Sequence, residues 1–258
     1  MYYFSIGAIF KNEAHILKEW LEHYFFHGVD HIYLINDNSN DNFLEILKPY
    51  KNKVTLYNSE YKGKWVDMQS DLYNKYFNKH IKDSKWFGIF DLDEFLYSPL
   101  ELNIGIILKK YENENQLHIN WVHFGSSGHI KQPNSVVSNF LMRGEYNSKN
   151  NGPNGRYNSY KSIIKTNGNI KLGIHRHLCN NNSDGKNVSF DETNTPLLIN
   201  HYAIQSKDFW CNIKMTRGDV NYYYDSQGWK RNMKLFEDMD VNYIKDNRLQ
   251  IQNEKLCC

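Results

Sequence analysis

Hydrophobic and polar positions in the first part of the chain follow two alternating periods. Short, continuous apolar runs have the length of strands that are buried on both faces, and they occupy residues 3–10, 31–36, 54–57 and 86–90. Between these runs, apolar residues recur at helical spacing over residues 13–27, 43–48 and 65–80. Gly28 follows the first helical pattern and is a typical helix stop. This order predicts an α/β fold with a mainly parallel central sheet and helices on both faces.

The second half of the chain is less regular. Strand-like segments are predicted at residues 116–124, 162–165, 170–174 and 196–202, and a helix is predicted to begin near Ser206. Residues 144–158 are rich in Gly and Asn, which indicates a long loop. Because neither an internal repeat nor a clear linker is found, we predict one domain over residues 1–258, with residues 221–258 as a peripheral helical extension.

Composition narrows the classes of function. The chain has 258 residues, 40% of them hydrophobic, which is enough for a packed core. The formal net charge of +2 comes without a dense basic stripe, so we expect no nucleic-acid partner. The first apolar run lacks a basic leader, and none of the apolar segments approaches the roughly 20 residues of a membrane helix. We therefore expect a cytoplasmic protein without an intrinsic membrane segment.

The strongest chemical signal is the acidic sequence Asp91-Leu92-Asp93-Glu94, which directly follows the fourth apolar run. Ligands of parallel sheets bind at the carboxyl ends of the strands. On an extended chain, residues two apart point the same way, so Asp91 and Asp93 are predicted to converge on one ion. Carboxylate and diphosphate oxygens suit Mn²⁺ or Mg²⁺, which would neutralise a departing nucleoside diphosphate. The alternative is a solvated acidic turn.

A second polar cluster follows the second apolar run. Asp37 lies within the sequence Asn-Asp-Asn-Ser-Asn-Asp of residues 36–41. Asn and Asp are common in turns and helix caps, so the cluster is explained by loop formation alone or by contact with a base or ribose. Its predicted place at the end of a neighbouring strand favours the contact.

Several short segments form an ordered pattern along residues 3–220. They are residues 10–13 (FKNE), 19–24 (EWLEHY), 28–31 (GVDH), 36–39 (NDNS), 86–96 (WFGIFDLDEFL), 122–128 (VHFGSSG), 161–164 (KSII) and 200–202 (NHY), followed by Lys207, Phe209, Lys214 and Arg217-Gly218. In this order they resemble the family 2-like and family 92-like group of glycosyltransferases.

The resemblance implies a GT-A fold, a nucleotide-sugar donor and Mn²⁺. Carried over by position, the expected lining of the nucleoside pocket is Asn12, Glu13 and Asp37. Gln69, on the helix that precedes the fourth apolar run, is also expected to face the nucleotide. Asp91 would face the ribose or the metal, and Asp93 would coordinate the metal directly. GT-A enzymes often add a C-terminal histidine to the metal, and we assign this role to His201, with His175 and His177 as competitors. Candidates for screening the diphosphate are Lys161, Lys207 and Arg217.

Local sequence does not identify the catalytic base. Displacement with inversion at the anomeric carbon needs a carboxylate or histidine to deprotonate the acceptor hydroxyl. We favour Glu145, beside the Gly/Asn-rich segment, while Glu94, Asp191 and Asp219 remain open. Trp210 and Trp229 are our candidates for an aromatic platform under the acceptor.

These features predict a metal-dependent glycosyltransferase. The resemblance favours an inverting enzyme, and the sequence leaves the stereochemistry open. It would move a sugar from a nucleotide-sugar donor to a hydroxyl of a glycan, glycoprotein or glycolipid acceptor. One alternative is a non-catalytic glycan-binding module on the same fold. The other is a metal-dependent nucleotidyltransferase, although the chain lacks the GxxxxGK[ST] pattern that would hold a triphosphate.

Overall fold

A computed structural model describes residues 1–60, 67–145, 160–217 and 231–257. The strands are β1 (Tyr2–Phe10), β2 (His31–Asn36), β3 (Val54–Asn58), β4 (Ser84–Ile89), β5 (Glu94–Tyr97), β6 (Gln116–His123), β7 (Met142–Arg143), β8 (Tyr160–Lys165), β9 (Ile170–Lys171), β10 (Leu178–Cys179), β11 (Lys186–Val188), β12 (Leu198–His201) and β13 (Ile244–Lys245). The helices are α1 (Ala14–Phe26), α2 (Phe43–Leu47), α3 (Met68–Tyr76), α4 (Ile104–Lys109), α5 (Lys207–Phe209), α6 (Met215–Arg217), α7 (Met233–Met239) and α8 (Arg248–Asn253). A π-helical segment, Trp210–Lys214, joins α5 to α6.

One nine-stranded sheet forms the centre of the described structure, in the order β3-β2-β1-β4-β8-β6-β12-β5, with β11 beside β6. The strands β3, β2, β1 and β4 are mutually parallel, as are β6 and β12. By contrast, β8 runs antiparallel between β4 and β6, and β5 runs antiparallel to β12. The predicted α/β class with a mainly parallel sheet is therefore confirmed.

Helices cover both faces of the sheet because alternate strand residues point to opposite faces. In β1, one set of alternating side chains joins a core cluster with α1, α2 and α4, and this set is Phe4, Ile6, Ala8 and Phe10. Ile9 of the same strand belongs to a second cluster on the other face, where α3 contributes Met68 and Leu72. These two clusters confirm the predicted helices on both faces.

Element boundaries differ from the predicted ones where several signals compete. Gly28 ends the α1 segment with a φ of +88°, a conformation that glycine adopts readily. The helical pattern over residues 43–48 was predicted to stop before Pro49, but a 3₁₀ turn, Lys48–Tyr50, continues from α2 through this proline. The predicted helix over residues 65–80 is described from Met68 to Tyr76, and Trp65 lies outside the described residues.

The C-terminal segment packs against the rest of the chain. Strand β13 pairs with β7, and Leu249 of α8 is buried in the main core cluster. Asn253 forms hydrogen bonds with His23 and His27. Residues 221–230 and 258 of the predicted extension lie outside the described residues, and the division into domains stays a prediction. None of the helices in the described ranges is long and apolar enough to cross a membrane.

Candidate functional site

The loops after β1 and β2 support one another at the carboxyl edge of the sheet, the edge where β1, β2 and β4 end. The Asn12 side chain accepts a hydrogen bond from the Asn40 backbone N–H at 2.8 Å, and the Asn12 N–H donates to Ser39 Oγ at 2.9 Å. Asn12 has a φ of +52°, which Asn tolerates better than most residues. Glu13 and Asp37 are buried beside this contact, and Lys11 lies 3.7 Å from Asp37 Oδ2.

The acidic sequence forms a turn rather than the extended segment predicted above. In this acidic turn (Asp91–Glu94), the Glu94 N–H donates to the Asp91 carbonyl at 3.0 Å. The Glu94 carboxylate also accepts the Asp91 N–H at 2.9 Å. The buried indole of Trp20 donates to the carbonyls of both Asp91 and Glu94. In this turn, Asp91 pairs with Lys161 and Asp93 pairs with Lys214, and the convergence of the two carboxylates on one metal ion stays a prediction.

Asp91 and Glu94 face the ammonium of Lys161, a residue of β8. Lys161 Nζ lies 3.0 Å from Asp91 Oδ2 and 3.4 Å from Glu94 Oε2, and Lys161 is fully buried. Burial raises the pKa of Glu94 well above its ordinary value, although Lys161 opposes this shift. Burial alone would lower the pKa of Lys161, but the two carboxylates outweigh it and raise that pKa. Lys161 is therefore the buried cation that pairs with Asp91 and Glu94 of the acidic turn.

Asp93 faces a second lysine and a histidine. Lys214 Nζ, at the end of the π-helical segment, lies 2.6 Å from Asp93 Oδ2. His201 Nε2 lies 3.6 Å from Asp93 Oδ1 because β12 pairs His201 with Glu94. Burial would raise the pKa of Asp93, but Lys214 and His201 together hold it well below its usual range. Asp93 is therefore an anion that two basic side chains contact.

Aromatic and imidazole rings form a wall beside Asp93. The His201 ring lies 4.5 Å from Trp121 and 4.9 Å from His123, measured between ring centroids. His175 lies 5.5 Å from Trp121 by the same measure. Burial, with a smaller effect of His201, lowers the pKa of His123 to about 3. Burial and Lys161 lower the pKa of His175 to about 4. The His123 and His175 rings are consequently neutral at pH 7.

The donor atoms around Asp93 fit a divalent cation in part. Asp93 Oδ1 and His201 Nε2 provide a carboxylate oxygen and an imidazole nitrogen 3.6 Å apart. Mg²⁺ and similar ions often take one or two protein groups and complete their shell with substrate phosphates and water. Within the described ranges, no group of three His, Cys, Asp or Glu residues forms a metal site, and Asp91 faces Lys161. Asp93 and His201 are thus the predicted ligands whose donor atoms lie together, and coordination of the ion by Asp91 stays a prediction.

The remaining predicted site residues fall into different environments. Gln69 lies near the acidic turn, with Nε2 3.5 Å from Asp91 Oδ1. Glu145 is exposed at the end of a described range, and in the described parts of the chain no hydrogen bond or ion pair joins it to Asp91 or Asp93. His177 bonds to the backbone of Gly173 and Ser162. The side chains of Arg217, Asp219 and Trp229 lie outside the described residues.

Two predicted candidates have structural roles. The prediction that Trp210 forms a platform under the acceptor is wrong, because Trp210 is buried in a small cluster with Phe236. Its indole donates a hydrogen bond to the Asn232 carbonyl. Asp191 is exposed and accepts the N–H groups of Thr193 and Asn194, so it holds a turn. Lys214 belongs to the family pattern, but the sequence alone gives it no partner. It pairs with Asp93 because the fold brings together two segments that are 121 residues apart in sequence.

The parallel strands, with charged and polar loops at their carboxyl edge, define an α/β protein of the class that binds ligands at such an edge. The chain belongs to glycosyltransferase family 92, whose family model matches residues 1–254. This match confirms the predicted family resemblance. The mainly parallel central sheet agrees with the expected GT-A fold.

Individual relatives match over shorter stretches. A glycosyltransferase family 92 protein of Oryza sativa subsp. japonica is 26% identical over 137 residues, which cover 52% of this chain and 23% of that protein. One of Arabidopsis thaliana is 27% identical over 96 residues, covering 37% of this chain and 16% of that protein. The chain therefore matches less than a quarter of the length of either relative.

Solved structures show a weaker similarity. A TarS fragment of S. aureus is 17% identical, with a TM-score of 0.39, and covers 64% of this chain and 47% of that chain. HddC from Yersinia pseudotuberculosis is 12% identical, with a TM-score of 0.36, and covers 64% of this chain and 77% of that chain.

Proposed function

We propose that this chain transfers a sugar from a nucleotide-sugar donor to a hydroxyl of a glycan, glycoprotein or glycolipid acceptor. The observation that carries the proposal is the position of the acidic turn, which lies at the carboxyl edge of the parallel strands with His201 beside Asp93. Membership of glycosyltransferase family 92 supports the same conclusion. The loop residues Asn12, Glu13 and Asp37 are proposed to line the nucleoside pocket at this edge.

In the proposed reaction, one bond forms and one bond breaks at the anomeric carbon of the donor sugar. The acceptor oxygen forms a bond to the anomeric carbon, the bond from that carbon to the phosphate oxygen breaks, and the electron pair leaves with the diphosphate. A Mn²⁺ or Mg²⁺ ion held by Asp93 and His201 would supply positive charge to the diphosphate. Inversion would leave the acceptor proton for a base, and Glu145 remains our proposed base, to be tested by Glu145→Gln.

The buried ion pair of Lys161 positions Asp91 for contact with a nucleotide at this edge. Lys161 keeps Asp91 in one orientation, with Nζ 3.0 Å from Oδ2, while 35% of the Asp91 side chain stays exposed. Asp91 can then accept hydrogen bonds from ribose hydroxyls on its exposed side. Gln69, which lies near Asp91, is proposed to face the nucleotide from α3.

Nucleotide-dependent thermal stability tests the proposal. UDP, GDP and CMP are titrated with and without Mn²⁺ against the natural protein, Asp93→Ala and the control Asp238→Ala, which changes an exposed residue of α7. A ligand that binds only the folded state stabilises by about 2.7 kcal/mol at a hundredfold excess over its Kd. We expect one diphosphate to stabilise the natural protein and the control in the presence of Mn²⁺, and to lose this effect with Asp93→Ala.

Two results separate the proposal from its alternatives. Stabilisation by a nucleoside triphosphate in preference to a nucleotide-sugar would favour a nucleotidyltransferase. Hydrolysis of the donor in the absence of acceptor would exclude a glycan-binding module without turnover. If a folded protein responds to none of the nucleotides, the transferase proposal is wrong and the acidic turn has a structural role.

A further inference from the structure

Lys214 contacts the same carboxylate that is proposed to bind the divalent cation. Its Nζ lies 2.6 Å from Asp93 Oδ2, while His201 approaches the other oxygen at 3.6 Å. Only 5% of the Lys214 side chain and 11% of the Asp93 side chain are exposed. Water screens an ion pair weakly in such surroundings, so the Lys214 ammonium is a strong partner for Asp93.

The acidic turn has little uncompensated charge when no ligand is bound. Its three carboxyl groups, Asp91, Asp93 and Glu94, face the two ammonium groups of Lys161 and Lys214. A divalent cation entering beside Lys214 would meet a positive charge next to its ligand Asp93. Two positive charges that contact the same carboxylate repel each other strongly where the surroundings exclude water.

We propose that Lys214 and the divalent cation compete for Asp93, so that Lys214 weakens cation binding while the nucleotide is absent. This inference rests on the proposed function. A bound diphosphate offers the ammonium a second anion, because lysine binds phosphate as a mobile point charge. Lys214 then shifts from Asp93 towards the diphosphate, and cation binding becomes coupled to nucleotide binding.

The local backbone is consistent with this exchange. Lys214 is the last residue of the π-helical segment Trp210–Lys214, and such segments occur frequently at functional sites. The preceding helix is fixed at its start, where Ser206 Oγ accepts the Phe209 N–H at 3.1 Å. Trp210 is anchored in a buried cluster. The lysine stem therefore extends from a fixed base and has several rotatable bonds over which its ammonium can move.

Direct measurement of Mn²⁺ binding tests the proposal without an activity assay. The electron paramagnetic resonance signal of free Mn²⁺ is followed as protein is added, with and without the nucleoside diphosphate that stabilises the protein. The proteins compared are the natural chain, Lys214→Met, Lys214→Gln and the control Lys234→Met, which changes an exposed residue of α7. Lys214→Gln retains a hydrogen-bond donor and provides a second variant if Lys214→Met does not fold.

We expect both Lys214 variants to bind Mn²⁺ without nucleotide more tightly than the natural protein. Loss of a competing charge-assisted hydrogen bond corresponds to roughly 10- to 100-fold in affinity. Lys234→Met should match the natural protein. With nucleotide present, the advantage of the Lys214 variants should shrink, because the diphosphate has already drawn the ammonium away.

Equal Mn²⁺ affinity of the natural protein and both Lys214 variants without nucleotide would overturn this inference. Nucleotide binding by all the proteins without any Mn²⁺ binding would also overturn it, and would leave sugar transfer as the proposed function. Failure of every nucleotide to bind, with the Lys214 variants still binding Mn²⁺ more tightly, would instead refute the proposed function and support the competition for Asp93.

Discussion

Replacement of Lys161 by Met should destabilise the protein and should do so more strongly at higher pH. The substitution removes the ammonium that lies 3.0 Å from Asp91 and 3.4 Å from Glu94. Both Lys161 and Glu94 are fully buried, so the Glu94 carboxyl cannot exchange its lost partner for water. A methionine of similar length fills the space, and the change therefore isolates the charge.

The size of the expected stability loss in Lys161→Met follows from how far its partners, Asp91 and Glu94, are exposed to water. Breaking a buried ion pair by removing one member costs about 3–5 kcal/mol. The Asp91 side chain is 35% exposed, so water screens the interaction between Asp91 and Lys161. We therefore expect a loss of about 3 kcal/mol in the free energy of unfolding near neutral pH, the lower end of that range.

The pH dependence has a defined sign. Burial raises the pKa of Glu94 in the folded protein well above its ordinary value, with Lys161 opposing. A raised folded pKa means that the stabilising contribution is full below the ordinary glutamate pKa and is lost as pH rises through the folded pKa. Without Lys161 the folded pKa rises further. The cost of Lys161→Met should thus be smaller at about pH 5 than at about pH 8.

Urea unfolding at both pH values measures this effect, with Lys171→Met, an exposed residue of β9, as the control. The double variant Lys161→Met with Glu94→Gln removes the unpaired carboxyl, keeps an acceptor for the Asp91 N–H and should recover a large part of the loss. A cost below about 1 kcal/mol that does not change with pH would refute the reasoning, since exposed pairs show such values. A double variant less stable than Lys161→Met would refute it as well.

Three other substitutions test the surrounding framework by urea unfolding. Asp246→Ala removes the buried partner of the Arg143 guanidinium at 2.8 Å and leaves it the largely exposed Glu192. This change should cost about 3 kcal/mol, whereas Asp238→Ala should change stability by less than about 0.5 kcal/mol. Trp20→Phe removes the indole donor of two carbonyls in the acidic turn and should cost about 1–3 kcal/mol. Burial lowers the pKa of His123 to about 3, so its contribution is full above the ordinary histidine pKa and is lost as pH falls. His123→Phe should therefore reduce the loss of stability between about pH 7 and about pH 5; an unchanged loss would contradict this assignment.

Hydrophobic periodicity predicted the parallel part of the fold because it depends on local burial. The β2 boundaries agree with the predicted residues 31–36, and the two faces of β1 follow from simple alternation. The insertion of β8 between β4 and β6 was not predicted, since it pairs segments distant in sequence. The same limit applies to the acidic turn, whose backbone is fixed by Trp20, about seventy residues away.

Lys161 and Lys214, which pair with the acidic turn, show why the position of the turn could be predicted and its charge balance could not. Asp91 and Asp93 stand out because they follow an apolar strand, but Lys161 and Lys214 reach them from β8 and from the segment after α5. Three carboxyl groups next to core strands would be unstable without such partners. Lys161 has no exposed side-chain surface and bridges two of the carboxyl groups, whereas Lys214 shares Asp93 with His201. We therefore expect changes at Lys161 to act mainly on folding and changes at Lys214 to act mainly on ligand binding, which separates the structural part of the turn from its proposed catalytic part.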